Sequence, residues 1–151
     1  MGKTFFIAGD KRNDSPSLNE ILELDESVFE VVYHSDSYSA SLIVARHIEL
    51  GAAFWHTEHE KITSGKFFYD AIGTGPNMVS TLGEDSPETI SLFDGQNYTA
   101  FPRAYFVCEE KMIEILDCFL NNGTRCECIS WELETVIVER LGSLGCFDEI
   151  E

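Results

Sequence analysis

From Phe29 to Phe101 the chain is a succession of short segments rich in β-branched and aromatic residues, broken by turn chemistry, and this pattern restricts the fold more than any other feature. Phe29 to His34 reads as a strand, as does the shorter run Thr4 to Ala8 before it. Ser39 to Glu49 supports two readings: Leu42, Ala45 and Ile48 recur at helical spacing, whereas Ser41-Leu42-Ile43-Val44 suits a buried strand. A turn near Glu49-Leu50-Gly51 and a second apolar run, Ala52-Ala53-Phe54-Trp55, favour a two-stranded hairpin. Lys66 to Ile72 continues the strand pattern up to Gly73-Thr74-Gly75-Pro76-Asn77, where glycine can reach positive φ and proline fixes φ, as a turn requires. Met78 to Leu82 is another expected strand. Thr89 to Phe93 and Tyr98 to Phe101 flank Asp94-Gly95-Gln96-Asn97, a hairpin turn by composition.

Helical spacing is clear in one place. Met112, Ile113, Leu116, Phe119 and Leu120 form an apolar stripe. Glu109 and Glu110 put negative charge in the first turn, where the helix dipole favours it, and Asn121-Asn122-Gly123 supplies a stop. An earlier helix is expected with Ser15 as cap and Pro16 in its first turn, running through Leu18, Ile21, Leu22 and Leu24. After Gly123 the pattern alternates: Glu127, Ile129, Trp131 and Leu133 fall on one strand face, Cys126, Cys128, Ser130 and Glu132 on the other. Trp131 is therefore expected to be largely buried against Ile113, Leu116 and Leu120. No repeat, low-complexity tract or linker divides residues 1–151. The expectation is one α+β domain, a mainly antiparallel sheet packed against one or two helices.

Charge narrows the function. With 27 acidic and 10 basic side chains the net charge is −17. Such a chain repels nucleic-acid phosphates and anionic membrane surfaces and attracts basic proteins over a Debye length of about 8 Å. No Lys or Arg occurs between Phe67 and Pro102. Within or beside that span, Glu58, Glu60, Asp70, Glu84, Asp85 and Asp94 are the candidate partner-contacting carboxylates, several of them at expected turns. The first apolar run, Phe5 to Ala8, is too short for a signal-peptide core, and no stretch approaches the roughly 20 apolar residues of a membrane span. Five cysteines (Cys108, Cys118, Cys126, Cys128 and Cys146), odd in number and confined to the C-terminal third, suit reduced thiols in the cytoplasm better than a disulfide framework.

Sites of chemistry are sparse. Trp55-His56-Thr57-Glu58-His59-Glu60 gathers two histidines and two carboxylates, but it lacks the spacing of zinc hydrolases, and in a strand His56 and Glu58 face away from Thr57 and His59. The Cys126-x-Cys128 pair would need distant Cys108, Cys118 or Cys146 to complete a four-ligand zinc site, so small half-buried thiols are the plainer reading. Neither a serine-hydrolase elbow nor a phosphate-binding glycine loop is present. No cofactor, metal or catalytic residue is therefore expected. The alternatives are a small hydrolase using His56, Glu58 and His59 or a cysteine nucleophile, and an acidic interaction module.

The order of elements near the C-terminus carries a resemblance. Tyr105-Phe106-Val107-Cys108-Glu109-Glu110-Lys111-Met112-Ile113-Glu114 leads into Asp117-Cys118-Phe119-Leu120, then a short turn with Arg125 and the closing Ile129-Ser130-Trp131-Glu132-Leu133. Preceded by an early helix, a strand meander, a Gly-rich turn and Met78-Val79-Ser80, this resembles the Imm1 family of bacterial immunity proteins over about residues 17–133, with 134–151 as a C-terminal extension. The resemblance implies a cytoplasmic inhibitor of a cognate toxin from a polymorphic or contact-dependent system, the toxin being a basic nuclease or deaminase. An acidic protein seated in a toxin's nucleic-acid cleft would compete there with phosphate.

Overall fold

A computed structural model describes residues 3–8, 11–35, 38–58, 77–81, 85–93 and 97–146, so the expected strand at 66–72 and most of the turn after it lie outside the described residues. The main sheet begins with β1 (Lys3–Ala8) and β2 (Lys11–Asp14) and continues through β3 (Val28–His34), β4 (Ser39–His47), β5 (Gly51–Glu58) and β6 (Asn77–Thr81). A short β9 (Phe106–Val107) and β10 (Ser130–Leu133) complete it. The order is β10-β6-β5-β4-β3-β1-β2, with β9 pairing alongside β5, and every pair is antiparallel. A separate hairpin joins β7 (Thr89–Phe93) to β8 (Tyr98–Pro102). The fold is α+β on an antiparallel sheet, as expected.

The ambiguous segment after Ser39 is a strand, and the hairpin reading holds: β4 pairs with β5 from Ala40↔Glu58 to His47↔Gly51. Helical spacing at Leu42, Ala45 and Ile48 was coincidental. In strand geometry Leu42 and Val44 enter one core while Ala45 enters the other, and Ile48 stands outside in the turn, 96% exposed. The turn is held by the His47 ring, whose Nδ1 accepts the N–H groups of Glu49 and Leu50 at 3.1 and 3.2 Å.

The first helix, α1 (Leu18–Leu22), starts later than its expected cap. Ser15 sits at φ 53°, whereas Ser17 is extended and its hydroxyl accepts the Glu20 N–H. The Glu20 carboxylate returns to the Ser17 N–H, which completes a capping box and gives Ser17 the role assigned to Ser15. The second helix, α2 (Glu109–Asn122), ends as expected at Gly123, left-handed at φ 71°. Its buried face is Met112, Ile115, Leu116 and Phe119; Ile113 and Leu120 pack only at the margin.

The strand expected at 127–133 is shorter than its alternation suggested. Only Ser130–Leu133 pairs, with β6, and a turn at Glu127 and Cys128 precedes it. Trp131 is half-buried, not largely buried. It closes the edge of the core, with its indole N–H donating to the Cys126 carbonyl at 2.7 Å.

Both faces of the sheet are covered. On one, α1 and α2 pack over Phe29, Val31, Leu42, Val44 and Phe54. On the other, a third helix, α3 (Glu134–Gly142), buries Ile137 and Leu141 with Ala53, Val79, Leu92 and Tyr105. Within the segment expected as a C-terminal extension, Ile137, Leu141 and Cys146 therefore belong to the core. Because β5 is covered twice, its sequence Gly-Ala-Ala-Phe-Trp-His-Thr-Glu is apolar on both faces and not cleanly alternating.

Candidate protein-binding surface

The candidate carboxylates divide sharply. Glu60, Asp70, Glu84 and Asp94 lie outside the described residues. Glu58 is exposed at the end of β5, where the Tyr38 hydroxyl lies 3.4 Å from its carboxylate and 3.1 Å from the Gly123 carbonyl. Burial first, and then Glu58, raise the Tyr38 hydroxyl well above its ordinary range, so it remains a protonated donor.

Asp85 was expected to reach outward for a partner, but it is committed within the chain. Arg140 on α3 donates Nε to Asp85 at 2.8 Å and both terminal nitrogens to Glu132 at 2.7 and 2.8 Å. Arg140 lies 55 residues away from Asp85, so the pairing had no local sequence signal. These hydrogen bonds hold the Glu132 carboxyl below its ordinary value. The stabilisation is therefore full above the normal glutamate range, around 4.3, and is lost as pH falls through the lowered value. For so exposed a cluster we expect about 1 kcal/mol at most. Arg140→Met should lower the thermal midpoint modestly at neutral pH, and the gap from the wild type should close in acid. Parallel unfolding curves over pH 3–7 check this, and a gap that widens in acid contradicts it.

A different surface gathers carboxylates. The α1–β3 connection, the β4–β5 turn and the start of α2 enclose a cleft of about 530 Å³. Glu23, Asp25, Glu26, Glu49 and Glu109 line it. Among its cations, Arg46 spends one guanidinium nitrogen on the Leu22 carbonyl. Ile48 stands on its rim, so an exposed aliphatic group borders a concentration of negative charge. The cleft is suited to a basic side chain flanked by apolar surface. Glu58 is remote from it: seven strand steps of about 3.3 Å separate it from Gly51, roughly 23 Å. The cleft carboxylates all lie outside the base-free span from Phe67 to Pro102. The signal was Glu23-Leu24-Asp25-Glu26, an acidic run between a helix and a strand. A second exposed apolar feature is the pair Phe93 and Tyr98, rings tilted at 59° and 5.4 Å between centroids, at the end of the β7–β8 hairpin.

The groups considered for catalysis are placed otherwise. His56 is 1% exposed; its Nε2 donates to the Gly123 carbonyl at 2.9 Å, and its ring meets Phe119 edge-on at 5.7 Å. His59 lies outside the described residues. Cys126 and Cys128 face each other with sulfurs 2.9 Å apart, and Cys118 approaches Cys126. Burial, Cys126 and Glu114 push the Cys128 thiol up to about 12, and burial raises Cys118 and Cys146. Thiols held protonated are poor nucleophiles. Among the described residues no helix is long and apolar enough to cross a membrane. No family model matches the chain, and comparison with curated proteins gives no match.

Proposed function

We propose that this chain is a cytoplasmic immunity protein, without catalytic activity, that neutralises a basic toxin domain by occupying its nucleic-acid-binding cleft. The observation that carries the reading is a net charge of −17 on a chain whose surface includes a cleft lined by five carboxylates with exposed Ile48 at its edge. Charge of this sign opposes direct binding of nucleic acid and speeds encounter with a basic protein. A buried apolar contact beside the charges would then slow dissociation. The resemblance of Tyr105 to Leu133 to the Imm1 family supports the same reading. The burial of His56 and the raised Cys118, Cys128 and Cys146 thiols count against catalysis by those four residues.

The test uses the toxin domain encoded beside this chain's gene. Stopped-flow mixing should give an association rate that falls as salt rises, and Glu23→Lys, Glu49→Lys and Glu109→Lys together should slow association at least about tenfold. Glu58→Lys, far from the cleft, should do less. Because these carboxylates are at the surface, thermal unfolding should change little. Association indifferent to both salt and charge reversal overturns the electrostatic mechanism, and failure to form a stoichiometric inhibited complex overturns the function.

A further inference from the structure

Glu114 and Cys118 are four residues apart on α2, and helical geometry places them on one face. The chain reverses at Gly123 and returns along that face, bringing Cys126 and Cys128 with it. The return is anchored at both sides: the Cys118 sulfur lies 3.9 Å from the carbonyl and hydroxyl oxygens of Thr124, and Trp131 holds the Cys126 carbonyl. The outcome is a cluster of donors. Cys126 and Cys128 sulfurs are 2.9 Å apart, and one ligand atom each from Glu114, Cys126 and Cys128 lies within 4.8 Å of the other two. Cys118, on the same helix face as Glu114, neighbours Cys126, but its sulfur is not one of the atoms that all lie within 4.8 Å of one another. The sequence reading placed Cys118 too far away to help; the helix reversal removes that objection.

We propose that Glu114, Cys126 and Cys128, joined by Cys118 turning in from α2 as the fourth ligand, form a structural zinc site that pins the loop after α2 to the helix. Zinc accepts four ligands in a tetrahedron with Zn–S bonds of about 2.3 Å, which sets neighbouring sulfurs about 3.8 Å apart. Among Glu114, Cys126 and Cys128 the separations run from 2.9 Å to no more than 4.8 Å, a range that includes that value, and Cys118 would complete the set by rotating toward Cys126. Thiol donors select a thiophilic ion over magnesium or calcium, and three sulfurs with one carboxylate oxygen suit zinc. Glu114 also lies 3.7 Å from Lys111 in an exposed pair, a weak contact that an ion would displace at little cost. On binding, zinc takes the place of three thiol protons, which pass to water as three Zn–S bonds form. The site is independent of the toxin-binding reading.

The experiment uses the full chain, reduced and freed of metal, titrated with cobalt(II) alone and followed by visible absorption. Saturation at one cobalt per chain is expected, with the intense bands of tetrahedral thiolate coordination, which zinc then abolishes by displacement. Cys126→Ser with Cys128→Ser should lose those bands, Cys118→Ser and Glu114→Gln should weaken binding, and Cys108→Ser with Cys146→Ser should leave it unchanged. Zinc should raise the thermal midpoint of the wild type and of the Cys108/Cys146 variant, because it binds the folded chain. Circular dichroism confirms that each variant is folded. The proposal is overturned by the lack of a thiolate spectrum in the reduced wild type or by its persistence in folded Cys126→Ser/Cys128→Ser protein.

Discussion

Alanine at Gly51 is expected to be among the most damaging single substitutions in this protein. Gly51 opens β5 at φ 97°, and a Cβ built there would lie 1.9 Å from the Val107 carbonyl oxygen. That atom is backbone, so it cannot rotate away. The next residue, Ala52, pairs with Val107, and relief of the clash would have to separate β9 from β5. Phe106 and Val107 are buried, and α2 begins two residues later, so the disturbance would enter both cores. Backbone strain of about 1–3 kcal/mol and overpacking of about 1–3 kcal/mol together approach the whole stability of a small domain. A fall in thermal midpoint on the order of 10 °C, or insoluble expression, is the expected result. An unchanged midpoint would mean that β9 does not lie against β5 as described.

Phe119→Ala should be comparably severe for a different reason. Phe119 is 1% exposed in the core beneath α2, and its ring faces His56 edge-on. Truncation leaves a cavity beside a buried imidazole, with a cost of about 3–5 kcal/mol. Trp131→Ala should cost less, although the side chain removed is larger, because Trp131 is only half-buried at the rim of the same core. Urea unfolding of both variants gives the order directly. If Trp131→Ala proves the worse of the two, the rim and not the centre anchors the helix to the sheet.

Much of the architecture was legible in local chemistry. The hairpin between Ser39 and Glu58, the strands at Phe29 and Met78, the hairpin from Thr89, and the helix that stops at Gly123 each depend on signals within a few neighbouring residues. The errors arose where two local signals competed or where the deciding contact was distant. Ser15 and Ser17 both suit a cap, and only Ser17 has a glutamate three residues on to complete the reciprocal bonds. Alternation continued backward from Trp131 to Cys126, but only Ser130 to Leu133 pairs with β6, and the Trp131 indole turns back onto the Cys126 carbonyl.

The fold class, the net acidity and the helix bounded by Glu109 and Gly123 were already legible in the sequence, because composition and short-range spacing decide those matters. The path of the chain was needed to pair Asp85 with Arg140, to bring three separate segments around an acidic cleft, and to set Glu114 beside Cys126 and Cys128. It also made α3 a core element, because Ile137 and Leu141 gain a partner only when the second face of the sheet lies beneath them. Each of these depends on residues distant in sequence meeting across an element boundary. Side-chain type and spacing state what a residue can do, while the path of the backbone decides which residue it does it with.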